Sequence, residues 1–236
     1  MGRAEEAIKT LEQIPLNSPD IQIEAVIGIY DLQAKLKRDI NLYDEAVYYA
    51  KKGLNLATIN FNYERQLELY ITLGETYRKA GKLHWAEKCL KAAIMLKDKI
   101  SWRQFLVLDA YIKLGIVYFE KYDFQLSGKI LQKALKIAKK QDDVAKYSQG
   151  LLYLAKILLL QSKYEEARAA FTEVYKLHSD QKNDLQALCG LSQVCLSQRD
   201  DVNYNKYSKL YFESLKNQKE VISDDGISDS ISSFRR

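Results

Sequence analysis

Apolar residues along most of the chain recur three and four positions apart, the spacing that places side chains on one face of an α-helix. Within this pattern a small residue returns about every forty positions, at Ala34, Gly74, Gly115, Ala155 and Ser192. A second small residue follows twelve positions behind each of the first four, at Ala46, Ala86, Ser127 and Ala167. Two series in one register predict an all-α solenoid of antiparallel helix pairs, in which neighbouring pairs share one core.

The stretch from Tyr70 to Leu96 shows the repeat most completely. Its defining positions are Tyr70, Leu73, Gly74, Tyr77, Gly81, Ala86, Leu90 and Ala93. This order of an aromatic residue, Leu-Gly, Tyr, a turn glycine and a later Ala resembles the tetratricopeptide repeat (TPR), which implies a right-handed superhelix of helix pairs. Because two closely packed helices need a small side chain where they approach, we expect Gly74 to face Ala86.

The spacing divides the chain into one continuous array over residues 1–216. We predict a partial repeat at 1–19 and full repeats at about 20–58, 60–99, 101–140, 144–180 and 184–216. Ala7, Leu11, Ile14 and Pro19 match a second helix without its first, so the sequence looks like part of a longer protein. Residues 217–236 lack a helical period and predict a disordered tail, with an interaction or phosphorylation segment as the alternative.

The repeats are about forty residues long and in this respect resemble the arrays of Rap and other RRNPP peptide-pheromone regulators, kinesin light chains and Pins-like scaffolds. The resemblance implies that the first helix of each pair lines a concave groove that binds a peptide or a partner protein. The residues expected to face this groove are Asp31, Lys35, Arg38, Glu68, Ile71, Glu75, Arg78, Asp109, Ile112, Ile116, Phe119, Leu152, Lys156 and Leu159.

Two interpretations of these groove positions stay open. The charged residues near the N-terminus could orient a peptide, or they could form a solvated face. The apolar residues nearer the C-terminus could anchor side chains of a partner, or they could pack against neighbouring helices or a second subunit. The groove positions include no Asn, which argues against the carboxylate clamp of chaperone-binding TPR proteins and sets the chain apart from typical RRNPP receptors.

Charge and composition narrow the class of partner. Lys and Arg number 36 against 31 Asp and Glu, and the two signs are interspersed, so direct nucleic-acid binding is not expected. One basic stripe recurs at helical spacing, at Lys129, Lys133, Lys136 and Lys140, and reads as a solvated outer face or as a patch for an acidic partner. The absence of an apolar run of membrane-spanning length predicts a cytoplasmic protein without membrane contact.

Reactive residues are few, and their spacing does not form a catalytic site. Cys89, Cys189 and Cys195 lack C-x-x-C spacing and are interpreted as small core residues of a protein in a reducing compartment. His84 and His178 fall in different repeats, and neither lies at metal-ligand spacing from a Cys. We therefore expect a protein that is not an enzyme and uses neither cofactor nor metal.

The sequence thus predicts a non-catalytic TPR domain that binds a peptide or an extended partner segment in its groove. The resemblance suggests the sensor part of a bacterial peptide-responsive regulator. The alternative is a scaffold or adaptor that assembles a complex through its convex face or its ends. Exposed Leu196, Tyr204, Tyr207 and Tyr211 in the terminal repeat would also allow a homo-oligomer.

Overall fold

A computed structural model describes residues 2–15, 21–101 and 103–216, with side chains from residue 5 onward. Ten α-helices run in chain order through the described residues: α1 (Gly2–Glu12), α2 (Ile23–Asp39), α3 (Tyr43–Ile59), α4 (Tyr63–Lys79), α5 (Leu83–Met95), α6 (Phe105–Glu120), α7 (Phe124–Lys140), α8 (Val144–Leu160), α9 (Tyr164–Leu177) and α10 (Gln181–Ser197). A further helix, α11, covers 201–216, and a 3-10 turn, Lys97–Lys99, precedes α6. The described residues contain no β-strand.

The chain divides into two compact units, residues 1–141 and 142–236. In the first unit α2 packs on α3, α4 on α5 and α6 on α7. The first helices of successive pairs also touch, since α4 contacts both α2 and α6. In the second unit α8 packs on α9 and α10, and α10 is joined to α11 by a hydrogen bond from Ser208 Oγ to Ser192 Oγ at 3.5 Å. The predicted all-α solenoid of antiparallel helix pairs is confirmed within each unit. Pro19 and the predicted tail at 217–236 lie outside the described residues.

A recurring turn ends the helices. After α4, the Gly81 N–H donates to Arg78 O at 3.0 Å, and the Lys82 N–H donates to Tyr77 O at 2.8 Å. This pair of bonds is the Schellman motif, which closes a helix on a residue in the left-handed region. Gly81 has φ of +73°, and the same conformation recurs after other helices at Asn41, Phe61, Tyr122, Asp142, Ser162 and Arg199. The sequence pattern identified only the glycine.

The residue after the left-handed position often begins the next helix by capping it. Asn62 accepts from the Arg65 N–H at 3.1 Å, and Asp123 accepts from the Leu126 N–H at 3.0 Å. Asp143 and Asp200 make the equivalent bonds, to the N–H groups of Lys146 and Asn203. Each cap satisfies one of the four N–H groups that a helix start leaves without an intrahelical acceptor.

The small residues mark close contacts between helices. A Cβ on Gly74 would lie 2.7 Å from Leu90 Cγ, so the Leu90 side chain covers this glycine. In the next pair a Cβ on Gly115 would lie 2.6 Å from Leu131 Cδ2. The two small-residue series still touch there, because Ser127 Oγ donates to Gly115 O at 2.7 Å.

The second unit uses a glycine outside the predicted series. A Cβ on Gly190 of α10 would lie 2.4 Å from two ring atoms of Phe171, which is fully buried on α9. Ser192, the predicted small position, is half-buried and donates to Leu188 O at 3.0 Å. Ser192 still contacts the second helix of its own pair through Ser208, in the register in which Gly74 meets Leu90 and Gly115 meets Leu131. Gly190 makes a different contact, to the preceding helix α9.

The first full repeat replaces two expected apolar residues, Leu and Tyr, by Gln33 and Lys37, and both are buried. Lys37 Nζ lies 2.8 Å from Glu45 Oε2 on α3 and 3.5 Å from Glu12 Oε1 on α1. Two ion pairs, from the buried Lys37 to exposed carboxylates, therefore link these three helices. In a later repeat the Tyr118 hydroxyl stands at the corresponding position and donates to Glu87 at 3.1 Å.

The three cysteines do not share one environment. Cys195 is buried, Cys89 is half-buried and Cys189 is exposed, and all three are free thiols. The interpretation of Cys189 as a core residue is therefore wrong. Burial raises the pKa of the Cys89 thiol to about 11.

Candidate partner-binding surface

The predicted groove residues of α2 and α4 form an ion-pair cluster around Glu68. Lys35 Nζ lies 3.3 Å from Glu68 Oε1, and Arg65 Nη1 donates to Glu68 Oε2 at 2.8 Å. Arg103, before α6, also reaches Glu68 Oε2 at 3.3 Å. Lys35 in turn pairs with Asp31, one turn earlier on α2. We call Asp31, Lys35, Arg65, Glu68 and Arg103 the Glu68 cluster.

A second cluster joins α4 to α6. Arg78 donates two hydrogen bonds to Glu75, from Nη2 to Oε1 at 2.7 Å and from Nε to Oε2 at 3.0 Å. It also forms an ion pair with Glu120. Lys113 Nζ lies 3.7 Å from Glu75 Oε2 and 3.9 Å from Asp109 Oδ2. We call Glu75, Arg78, Asp109, Lys113 and Glu120 the Glu75 cluster. The predicted Arg38 lies beside this network and bonds to Asp39 at 3.1 Å.

The cations of the two clusters favour the ionised forms of Glu68 and Glu75. Burial opposes ionisation of Glu75, but the hydrogen bonds from Arg78 and the charge of Lys113 outweigh it and lower the pKa of Glu75 to about 2. Burial likewise opposes ionisation of Glu68, and the charge of Lys35 with the Arg65 bond lowers the pKa of that carboxyl. The charges on this face are thus compensated by one another, so the ion pairs also hold α2, α4 and α6 together.

Several predicted groove residues lie beneath the surface. Ile71, Ile112 and Ile116 are buried in the first unit, and Leu152 is buried in the second. Asp31 is also buried, where it accepts a hydrogen bond from Thr72 Oγ1 at 2.5 Å. Side chains without exposed surface pack the helices and cannot touch a partner in this conformation, so we leave these five out of the proposed contact surface.

The remaining predicted residues reach the surface. Lys35, Arg38, Glu68, Glu75, Arg78 and Asp109 do so in the first unit. Phe119 is half-buried at the end of α6, where its ring lies 5.6 Å from that of Phe124. In the second unit Lys156 and Leu159 are half-buried on α8. Lys156 Nζ donates to Gln186 Oε1 on α10 at 2.6 Å and lies 4.7 Å from the centroid of the Tyr153 ring.

Sequence reasoning missed five residues of these networks. Each contacts a predicted groove residue, and they are Arg65, Arg103, Lys113, Glu120 and Gln186. Lys113 follows Asp109 by four positions and Arg65 precedes Glu68 by three, so helical spacing alone could have found them. Arg103 lies before its helix, and Gln186 belongs to a repeat of irregular length, so no spacing rule indicates either.

The basic stripe lies on α7, a second helix of the first unit. Lys129, Lys133, Lys136 and Lys140 are all exposed, and Lys133 Nζ lies 4.7 Å from the Tyr111 ring centroid. The helix has five lysines and no Asp or Glu. The stripe lies on the second helix of its pair, whereas the two clusters lie mainly on the first helices α2, α4 and α6, so it offers a separate basic surface.

The residues that the structure describes contain no group of three or more His, Cys, Asp or Glu side chains that could hold a metal ion. None of the helices in this part of the chain is long and apolar enough to cross a membrane.

Comparison with known proteins confirms the fold and the resemblance. Residues 106–180 match the model of a tetratricopeptide repeat family. BtubC (BKLC) from P. vanneervenii superposes with a TM-score of 0.77 at 13% identity, covering 92% of this chain and 90% of that one. Among curated proteins, none matches the sequence.

Bacterial regulators share the fold over part of their length. Aspartyl phosphate phosphatase F from Bacillus subtilis has a TM-score of 0.72 at 14% identity, covering 85% of this chain and 53% of that one. The quorum sensor NprR from B. thuringiensis, in its apo form, has a TM-score of 0.73 at 14% identity, covering 91% and 60%. NprR in complex with its cognate peptide NprX has a TM-score of 0.68 at 16% identity, covering 92% and 62%. The predicted resemblance to TPR arrays, including those of such regulators, is therefore confirmed.

Proposed function

We propose that this chain is a protein-binding TPR domain that holds an extended peptide or partner segment on the face formed by the first helices of its pairs. The observation on which the proposal depends is the pair of ion-pair clusters that run from α2 across α4 to α6. Helical solenoids use such faces, assembled from successive repeats, as extended binding surfaces. The fold shared with NprR, which has been solved with its cognate peptide, supports a peptide as the partner.

The chemistry of the face fits an extended chain. Partly exposed Lys35, Glu68, Glu75 and Arg78 present charges of both signs, and these can accept or donate hydrogen bonds to a peptide backbone. Three cations face two carboxylates in the Glu68 cluster, and two cations face three carboxylates in the Glu75 cluster. Because the charges of each cluster nearly compensate, binding there need not bring a strongly charged partner. Phe119 adds one half-buried aromatic ring, the residue type on which partner side chains often anchor.

The finer version of this proposal is the sensor part of a bacterial peptide-responsive regulator. Its support is the fold shared with phosphatase F and NprR, of which this chain spans 53% to 62%. In that role the bound peptide would set the activity of a further domain or partner. We propose a cytoplasmic location for such a receptor, and catalysis is not part of the proposed function.

The test is selection of binders from a displayed library of random short peptides. Lys35→Gln combined with Phe119→Ala should weaken the selected peptides at least about tenfold, because it removes a charged donor and an aromatic contact. The matched variant Lys129→Gln with Lys136→Gln, on α7, should leave their affinity unchanged. Circular dichroism of each variant checks that the helices remain. Loss of binding in the α7 variant alone would contradict the proposal.

A scaffold that binds through its outer surface is the second candidate, favoured by the lysine stripe of α7. A helix that presents four exposed lysines without a carboxylate suits an acidic protein surface. Contacts of this kind weaken steeply with salt. If the α7 variant loses partner binding and the Lys35→Gln, Phe119→Ala variant keeps it, the scaffold function replaces the peptide receptor.

A further inference from the structure

Lys156 differs from the other groove cations in what surrounds it. It is half-buried on α8, its ammonium donates to the neutral Gln186 side chain at 2.6 Å, and the face of the Tyr153 ring lies beside it. No carboxylate among the described residues pairs with it. A cation withdrawn from water without an opposite charge costs stability, so such a group is retained where function requires it.

In the first unit, by contrast, the cations of the first helices lie close to carboxylates. Its first helices α2, α4 and α6 together contain seven Lys or Arg and eight Asp or Glu, and Lys35, Arg78 and Lys113 all lie within 4 Å of a carboxylate. The first helices of the second unit, α8 and α10, contain three lysines and one carboxylate, Asp184. Asp184 already has a partner, because His178 Nδ1 lies 2.8 Å from Asp184 Oδ2. The face of the second unit is therefore short of negative charge.

The groups that act on the ammonium confirm this shortage. Burial lowers the pKa of Lys156, and the nearby charge of Lys182 lowers it further, while only the Cys189 thiol acts in the opposite direction. Lys182 lies in the first turn of α10, one turn before Gln186, and it is exposed. Lys156 and the Gln186 amide oxygen thus meet between α8 and α10, and Lys182 adds a second positive charge one turn before Gln186.

We propose that Lys156, assisted by Lys182, binds a carboxylate of the peptide or partner segment. This inference rests on the proposed function and specifies the chemistry of its ligand. An ammonium has three N–H donors, and Gln186 accepts from one, so two remain for carboxylate oxygens. The Tyr153 ring and the Gln186 amide flank the ammonium and would exclude water from the new ion pair, which strengthens it. A neutral ligand group would leave the charge uncompensated.

The test compares three variants of the full chain against random short peptides displayed as a library. Peptides selected on the unaltered protein should be enriched in Asp or Glu at one position, or should require a free C-terminal carboxylate. Lys156→Met should weaken them about tenfold or more, since it removes a charge-assisted hydrogen bond. Lys156→Arg, which keeps the charge, should retain most of the affinity. Lys176→Met, an exposed lysine of α9, should retain all of it.

Two synthetic changes to one selected peptide identify the source of the carboxylate. Replacing the enriched Glu by Gln removes a side-chain carboxylate, and amidation removes the terminal one. One of these changes should cost about tenfold in affinity for the unaltered protein and nothing further for Lys156→Met. If neither change matters, the inference is overturned, while the proposed function stands as long as Lys35→Gln with Phe119→Ala still weakens binding at least about tenfold. If no peptide is selected at all, both fall.

Thermal unfolding separates a ligand role from a structural one. Because Lys156 has no carboxylate to lose, Lys156→Met should leave Tm unchanged or raise it by a few degrees. A fall of many degrees would show that the ammonium stabilises the helix pair, and the inference would then be abandoned.

Discussion

The turns between helices place residues in the left-handed backbone region, where any residue with a Cβ is strained. Among the turns that follow the Schellman pattern, only Gly81 has no Cβ, whereas Phe61 and Tyr122 hold large side chains at φ of +53° and +61°. A residue with a Cβ in this region costs roughly 1 kcal/mol or more relative to glycine. Both aromatic rings are mostly exposed, so little packing offsets the cost.

Phe61→Gly should therefore stabilise the protein. Relief of the strained φ outweighs the small loss of contact by a side chain that is 74% exposed, and the free energy of unfolding should rise by about 0.5–1 kcal/mol. Urea unfolding followed by circular dichroism measures it. The opposite change, Gly81→Ala, should lower the free energy by a similar amount, although its Cβ would meet no atom within 4 Å. A change of the same sign in both variants would contradict this account of the turns.

Glu75 gives the Glu75 cluster a defined pH dependence. Its pKa in the folded chain is about 2, below its ordinary value of 4.5, so its ionised form is favoured by folding. The resulting stabilisation is fully present above pH 4.5 and is lost as the pH falls toward 2. Glu75→Gln should then lower the free energy of unfolding at pH 7 by up to about 3 kcal/mol.

Urea titrations at pH 7 and at successively lower pH check this expectation. The difference between Glu75→Gln and the unaltered protein should shrink once the pH drops below 4.5. Glu166→Gln serves as the control, because that side chain is exposed on α9. A difference that stays constant down to pH 3 would mean that Glu75 contributes packing or neutral hydrogen bonding and not an ion pair.

At the scale of the element, large side chains of the second helices lie over glycines of the neighbouring helices. Leu90, Leu131 and Phe171 occupy corresponding positions of α5, α7 and α9. The first two lie over a glycine of the preceding helix, whereas Phe171 lies over Gly190 of the following one. A glycine at these points leaves the room that the large side chain needs.

Replacing one glycine with alanine on each of the paired helices α6 and α7 tests the role of the close contact. Gly115→Ala places a Cβ 2.6 Å from Leu131 Cδ2, so one of the helices must move and the free energy of unfolding should fall by about 1–3 kcal/mol. Gly128→Ala on α7 meets no atom within 4 Å and should raise it by up to about 1 kcal/mol through helix propensity. Thermal and urea unfolding of both variants measure the signs. Destabilisation of both would show that helix propensity does not govern Gly128.

The apolar periodicity predicted the helices, but it did not predict the turns that join them or the buried lysine between them. Apolar spacing located the pairs from α2 to α9, because the i, i+3, i+4 pattern follows directly from helix geometry. It did not reveal the turns at Phe61 or Tyr122, since bulky residues give no signal for a left-handed conformation. It also could not show that Lys37 would be buried, because the carboxylates that pair with it lie on two other helices.

The molecule as a whole distributes its charge unevenly between two units. The first helices of residues 1–141 compensate their charges, while those of residues 142–236 leave Lys156 without a carboxylate. The helical offsets selected Lys35 and Lys156 alike as groove candidates. They could not distinguish Lys35, which has Asp31 and Glu68 beside it, from Lys156, which has Gln186. That distinction depends on contacts between helices about thirty residues apart.

The division into units predicts that residues 1–141 fold without the remainder. Each helix of a solenoid contacts mainly its neighbours, and the buried clusters around Leu69 and Leu90 are formed entirely by residues of this unit. The fragment 1–141 should show a helical circular dichroism spectrum and one cooperative urea transition. The matched fragment 1–122 lacks α7, so Gly115 loses its cover by Leu131 and the very apolar α6 loses its partner. This shorter fragment should unfold at lower urea or aggregate. If 1–141 behaved no better than 1–122, the first unit would depend on residues beyond Gln141.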